Sequence, residues 1–307
     1  MKDFRNIIFI LVIATFLLQM YVSKQDKALE EQNQKPTVAL STFSIYDIAK
    51  HISQDKLELN MILPFGVDAH NFEPTPKLMA KILQSDLVVY SGAGLEPWTS
   101  SFDFKSKVVD MSKFVKLHEA GEHGHNHHEK EAAVDPHYWL DIQNMILATK
   151  LICEEFVELS PKDKELFQTN RDTYIKMLKG LDAKYKTLLK SCKKDTIILN
   201  HNAFSYLSEN YGFHVESLSG LSPDAQPSAK SMVRLIQHIK EHNISVVFFE
   251  SFVSDKAMKS IAKEAKVSVD VLQPLGNITR DEADKKLSYE AIMLKNLEKI
   301  SKALECE

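Results

Sequence analysis

Twice along this chain, short β-rich runs alternate with helical patterns, and this doubled rhythm restricts the fold more than any other feature. The first set places β-rich runs at residues 37–41, 57–63, 86–91 and 108–111. Helical patterns fall between them at 45–52 and 76–84, the second opened by the Thr75-Pro76 cap signal. The second set has β-rich runs at 196–199, 213–218, 244–249 and 268–272, with helical patterns at 229–241 and 255–264. Alternation of this kind predicts mainly parallel sheets with helices on their faces. Two sets predict an α/β protein of two lobes, which suits a chain of 307 residues. A hydrophobic share of 44% is enough for real cores.

Between the two sets lies one long helical pattern. Ser160-Pro161-Lys162-Asp163 reads as a cap-like start, and apolar residues such as Phe167, Tyr174, Leu178, Leu181, Tyr185 and Leu188 then recur at helical spacing. Gly180 is its one weak spot, where two shorter helices could divide. Unbroken, a helix of roughly 30 residues would run about 45 Å at 1.5 Å per residue. The expected organisation is an N-terminal metal-binding lobe at 36–159, a rigid linker helix at 160–192 and a C-terminal metal-binding lobe at 193–307. A stiff helix, unlike extended hinge strands, implies limited opening between the lobes.

Residues 1–24 stand apart. A short charged start, Met1-Lys2-Asp3-Phe4-Arg5, precedes an almost wholly apolar run at 7–22, and polarity takes over from Ser23 to Lys35. This reads as a signal peptide or an uncleaved N-terminal anchor, and hence as an exported, periplasmic protein. Cysteine does not follow the apolar run, which argues against lipid attachment there. Of the three cysteines, Cys153, Cys192 and Cys306, one pair could bond and one stay free, or all could be buried small hydrophobes. A net charge of −4 gives no reason to expect a nucleic-acid partner.

Histidine carries the chemistry. Five of the 12 histidines fall in a segment at 117–130 that has no apolar periodicity and alternates imidazoles with Glu, Gly and Asn. Such a loop reads as a weak, variable-stoichiometry collector of a borderline cation. Three other histidines sit at strand ends or helix starts. His70 lies in Asp68-Ala69-His70-Asn71-Phe72-Glu73-Pro74, His137 in Asp135-Pro136-His137-Tyr138-Trp139, and His201 in Asn200-His201-Asn202-Ala203-Phe204. Ligands of open α/β sheets bind outside the carboxyl ends of strands, so all three are candidates to face one cleft. His51, His214, His238 and His242 lack such context and read as structural.

Taken in order, Asp68 to Pro76, Leu95-Glu96-Pro97-Trp98, Asp135 to Asp141 and Asn200 to Phe204 resemble the motifs of the metal-binding substrate-binding proteins of ABC importers. The resemblance covers roughly Lys35 to the C-terminus, and the His-rich loop between the first two ligand segments points to the zinc branch. It implies two lobes joined by a long rigid helix, with one Zn²⁺ held as transported ligand by His70, His137 and His201. It also implies a cognate membrane permease as partner, a monomer, and no catalysis.

One departure stands out. Where the family commonly has an Asp after the last strand of the C-terminal lobe, this chain has Gln273. An amide is a poor Zn²⁺ ligand, which leaves water as the expected fourth ligand, with Gln273, Glu250 and Asp270 as alternatives. Three imidazoles suit Zn²⁺ better than Mn²⁺, and the manganese branch puts a carboxylate where His201 stands. Asp68, Asp135 and Asp141 are candidates to orient the imidazoles or to serve as turn and cap residues. Affinity should fall as pH drops through the histidine range near 6.5. The rival readings are a zinc-dependent surface adhesin and a three-histidine zinc enzyme, though the chain has no HExxH and no obvious general base.

Overall fold

The computed structural model describes residues 19–20, 35–119, 134–221, 228–251 and 255–307. All of the predicted signal or anchor at 1–24 except residues 19–20, and most of the His-rich segment at 117–130, lie outside the described residues. Among the described residues, no helix is long and apolar enough to cross a membrane.

The first lobe is built on a four-stranded parallel sheet. Its strands are β1 (Thr37–Leu40), β2 (Glu58–Met61), β3 (Leu87–Tyr90) and β4 (Lys107–Asp110), in the order β2-β1-β3-β4. Val38 pairs with Leu59 on one side and Leu87 on the other, so β1 is central and buried on both faces. That accounts for its continuous apolar run, as expected for a strand covered by helices. α1 (Phe43–Ser53) and α2 (Pro76–Leu83) supply the crossovers. Thr75 caps α2 by accepting from Leu78 N, with Pro76 in the first turn, as its sequence predicted.

α3 (Ile142–Leu159), which the periodicity did not delimit, packs on α1 and on the long helix α4 (Lys164–Leu188). α4 runs unbroken through Gly180 for 25 residues, after a 3₁₀ turn at Pro161–Asp163. It packs on α1 and α3 of the first lobe and on α9 (Tyr289–Ala303) of the second. Its buried residues Phe167, Tyr174, Leu178, Leu181 and Tyr185 keep the predicted stripe. Tyr174 OH donates to Asp47 of α1 at 2.8 Å, and Tyr185 OH donates to the Met293 carbonyl of α9 at 2.7 Å. The helix is therefore bonded to both lobes.

The second lobe holds two parallel strand pairs. One joins β5 (Thr196–Leu199) to β6 (His214–Ser217), and the other joins β7 (Val246–Glu250) to β8 (Ser268–Leu272). β5 and β7 lie side by side, and Glu250 N donates to Asn200 Oδ1 at 3.0 Å where the two strands end. Helices α5 (Ser205–Tyr211), α6 (Ala229–Glu241), α7 (Lys256–Ala265), α8 (Arg280–Asp284) and α9 complete the lobe. Six of the eight strands differ from their predicted ends by only one or two residues, while 196–199 and 268–272 coincide with β5 and β8.

Cys192 and Cys306 form a disulfide that ties the segment after α4 to the chain terminus, while Cys153 is free and buried. The pairing settles the two alternatives left open by sequence. With a separation of 114 residues, the bond contributes on the order of 4–5 kcal/mol through lost unfolded-state entropy.

Candidate metal centre

The three predicted histidines converge. His70 follows β2, His137 stands at the start of a 3₁₀ turn (Tyr138–Leu140) leading into α3, and His201 follows β5. One ligating nitrogen from each lies within 4.8 Å of those of the other two. His70 Nε2 and His137 Nε2 are 3.3 Å apart. A tetrahedral zinc with Zn–N near 2.0–2.1 Å requires N···N separations of about 3.3–3.4 Å, so this pair already sits at chelating distance. Ring centroids are 5.3 Å apart for His70–His137 and for His137–His201, and 6.2 Å for His70–His201. Among the described residues these three form the one such cluster.

Two of the rings are held from behind. His137 Nδ1 lies 2.8 Å from Asp135 Oδ1, which also accepts from His137 N at 2.9 Å. Asp135 in turn accepts from the Ser205 hydroxyl, and its carbonyl accepts from Tyr206 OH at 2.8 Å. Both of those residues belong to α5, so the second lobe anchors the acid that orients a first-lobe imidazole. His201 Nδ1 is in contact with Glu250 Oε1 at the carboxyl end of β7. The Asp135 carboxylate on Nδ1 fixes the His137 ring and leaves its Nε2 to face an ion, and Glu250 takes the same place behind His201. Both rings and both acids are buried, at 1–3% exposure.

His70 is held differently. It sits in a 3₁₀ turn (Ala69–Asn71) whose cap, Asp68, accepts from His70 N at 2.8 Å. That bond fixes the backbone and leaves the ring alone. Among the described residues no carboxylate faces its Nδ1, and the residue is only partly buried. Asp141 likewise does not reach a ring; it caps α3 through Gln143 N. Of the three acids proposed to orient imidazoles, only Asp135 does so. Glu250 takes that part for His201, and the signal that could have found it is its place at a strand end beside β5.

Charge in the chamber follows from burial. Burial, together with the neighbouring His137 and His201, pushes the His70 ring down to about 3, so it is neutral and ready to ligate throughout the physiological range. Burial pushes the Glu250 carboxyl up to about 8, against the attraction of His137. For Asp135 burial acts upward too, but the hydrogen bond and charge of His137 outweigh it and hold the carboxyl below its ordinary value. Burial raises Asp68.

The chamber between the rings is small, with about 20 Å³ of free space, which is room for one ion or one water. Val67, Leu95, Trp139, Pro274, Gly276 and Asn277 help to wall it. Gln273 is not among its lining residues. Its amide donates to Glu282 Oε2 at 2.8 Å, and its oxygen accepts from Leu275 N at 3.2 Å, so the side chain is committed away from the rings. Asp270 pairs with Lys299 at 2.9 Å and is also absent from the lining. Trp139 Nε1 donates to the Pro274 carbonyl at 2.6 Å, bracing the wall across the two lobes.

Two parallel-sheet lobes, a rigid helix bonded to both, and three imidazoles facing one ion-sized chamber define a solute-binding protein for a metal ion. The family model described as "Zinc-uptake complex component A periplasmic" matches residues 38–303, and the chain belongs to that family. It is 33% identical over 285 residues to the high-affinity zinc uptake system protein ZnuA of Bacillus subtilis, covering 90% of this chain and 89% of that one. The laminin-binding protein Lmb of Streptococcus agalactiae, titled a bifunctional protein with adhesin and metal-transporting activity, superposes with TM-score 0.79 at 28% identity. That match covers 88% of this chain and 99% of Lmb. The Zn(II)-bound ZnuA-like domain of Streptococcus pneumoniae AdcA superposes with TM-score 0.75 at 29% identity, covering 89% of this chain and 100% of the domain. This chain spans about half the length of that full lipoprotein, 56%.

Proposed function

We propose that this chain is the zinc-capturing component of an ABC importer, holding Zn²⁺ with His70, His137 and His201 and passing it to a membrane permease. The observation that carries this reading is the meeting of three imidazole nitrogens, all within 4.8 Å, from three separate loops of two lobes. Three imidazole nitrogen donors suit Zn²⁺ better than oxygen-seeking Mn²⁺. Water is the remaining donor, since Gln273 and Asp270 are engaged elsewhere and Glu250 stands behind His201.

Capture is ligand exchange. The aqua ion sheds most of its water to imidazoles whose orientation is already set, so little ordering remains at the moment of binding. Lobes at 36–159 and 193–307, tied by the helix within 160–192, act as one stiff clamp, and docking on the permease supplies the work of opening it. The protein acts as an exported monomer outside the inner membrane, with the His-rich loop at 117–130 as a collector. It acts as a binding protein and not as an enzyme: among the described residues Asp135 and Glu250, the acids beside the rings, are each engaged with an imidazole.

Zinc titration of the chain lacking residues 1–24 tests this reading. Each of His70→Ala, His137→Ala and His201→Ala should weaken the tight site by about a hundredfold or more, while deletion of residues 117–130 should spare it. Tight binding that survives all three substitutions would overturn the assignment.

A further inference from the structure

We infer that Asn277 is a positioning residue for His70, and that it sets how fast the metal leaves. The inference rests on the metal-centre reading above, and it concerns the one imidazole that no carboxylate holds from behind. What holds His70 in place is the loop between β2 and its own 3₁₀ turn, and the second lobe grips that loop.

Asn277 follows β8 and is only 2% exposed. Its Nδ2 donates to two carbonyls of the first lobe, Pro64 and Val67, each at 2.7 Å. Its Oδ1 accepts from Ile278 N at 2.8 Å, so every polar atom of the amide is used. One residue on, the Ile278 carbonyl accepts from Gly66 N at 2.9 Å. Gly66 sits at φ +78°, a conformation that other residues enter only with strain, so the turn is built for this contact. Arg280 then places its guanidinium 5.2 Å over the ring of Phe65, closing the clasp from outside. Four consecutive first-lobe residues, Pro64 to Val67, are thus held by a short second-lobe strap, and His70 lies three residues beyond the last carbonyl gripped.

The chemistry of the amide decides what this does. The loop at 64–67 is otherwise exposed or only partly buried, so loss of the NH₂ group removes the two bonds that tie it to the second lobe and frees it. The loop carries His70 with it, while His137 and His201 remain fixed by Asp135 and Glu250. Release therefore proceeds through His70 first, and Asn277 governs that step.

The test is a double-mutant cycle on zinc release, read by mixing the Zn²⁺-loaded chain with excess EDTA. Asn277→Asp keeps the volume but replaces both donors with a carboxylate, and Asn277→Ala removes them outright. Either change should accelerate release about tenfold, the equivalent of one lost buried hydrogen bond. In a His70→Ala background the same change should alter release by less than twofold, because the residue through which it acts is gone. Cobalt-loaded Asn277→Asp should also shift its visible absorption toward that of cobalt-loaded His70→Ala. A full tenfold acceleration on top of His70→Ala would overturn the inference, as would wild-type release from Asn277→Asp. Should His70→Ala itself leave release unchanged, the metal-centre reading falls, and this inference with it.

Discussion

His137 and His201 differ from His70 in what stands behind them, and the difference separates two kinds of ring within the proposed metal centre. His137 and His201 are buried, each with an acid at Nδ1; the Ser205 hydroxyl of α5 donates to the Asp135 carboxylate, and Glu250 is placed by its backbone N–H, which donates to Asn200 Oδ1 where β5 and β7 end. His70 is partly buried, and only its backbone is capped, by Asp68. The anchored pair forms a fixed half-site, and His70 closes it. A transport protein needs affinity and also a way to let go, and an uneven set of ligands supplies both.

The largest expected effect lies in the ligands themselves. Structural zinc sites are worth roughly 10–16 kcal/mol over four ligands, so losing one imidazole should weaken binding by about a hundredfold or more. His137→Ala and His201→Ala should be the more damaging, because each breaks the prearranged pair, whereas His70→Ala leaves it intact. Competition with a chromophoric zinc chelator measures the order. Were His70→Ala the weakest binder of the three, the half-site picture would be wrong.

Next come the acids behind the rings. Asp135→Asn and Glu250→Gln should each lower zinc affinity by about 10–100-fold, the usual effect of removing a partner from a metal-ligating imidazole. Asp68→Asn should change it less than threefold, since that carboxylate touches only the His70 backbone. Equal losses from all three would erase the distinction between anchored and unanchored rings.

The same contrast predicts opposite pH limbs in the stability of the metal-free protein. Glu250 is raised to about 8 from 4.5, so folding takes up a proton and its contribution falls as pH rises from about 4.5 toward 8. His70 is lowered to about 3 from 6.5, so folding excludes a proton and its contribution falls as pH drops from 6.5 toward 3; the two contributions offset one another between about 4.5 and 6.5, which leaves an alkaline limb above about 6.5 and an acid limb below about 4.5. Each limb has a slope approaching about 1.4 kcal/mol per pH unit for one linked proton. Denaturant unfolding of chelator-treated protein should show Glu250→Gln flattening the alkaline limb and His70→Gln the acid one. The fall in affinity near pH 6.5 expected from ordinary histidines consequently does not apply to His70.

Much of this was legible in the chain because the doubled strand–helix rhythm and the three strand-end or helix-start histidines are local signals. Val38 to Leu40, followed by a helical pattern at 45–52, reads as a buried parallel strand without further help. What lay out of reach depends on contacts between distant residues. Cys192 and Cys306 pair across 114 residues with no spacing signature, and Glu250 reads as a possible ligand until β5 and β7 are seen side by side. Asn277 has no motif at all; its part appears only when the strap after β8 meets the loop after β2. Asp141 was misleading because a cap and an imidazole partner look alike in sequence.

Gln273 offers the smallest effect and the sharpest check on where the centre ends. If the family's usual acid were simply missing here, Gln273→Asp should restore a fourth protein ligand and tighten zinc binding tenfold or more. The hydrogen bonds say otherwise. The side chain of residue 273 faces Glu282 and Leu275 N, while its backbone N–H and carbonyl are both bonded to Asn296. An acid there would lose the donor to Glu282 and set two carboxylates near one another, away from the rings. Zinc affinity should therefore move by less than threefold, and thermal stability should drop by a few degrees, as about 1 kcal/mol of lost hydrogen bonding implies for a chain of this size. A tenfold gain in affinity would mean that residue 273 can swing into the chamber, and that the ring cluster draws its fourth donor from the second lobe and not from water.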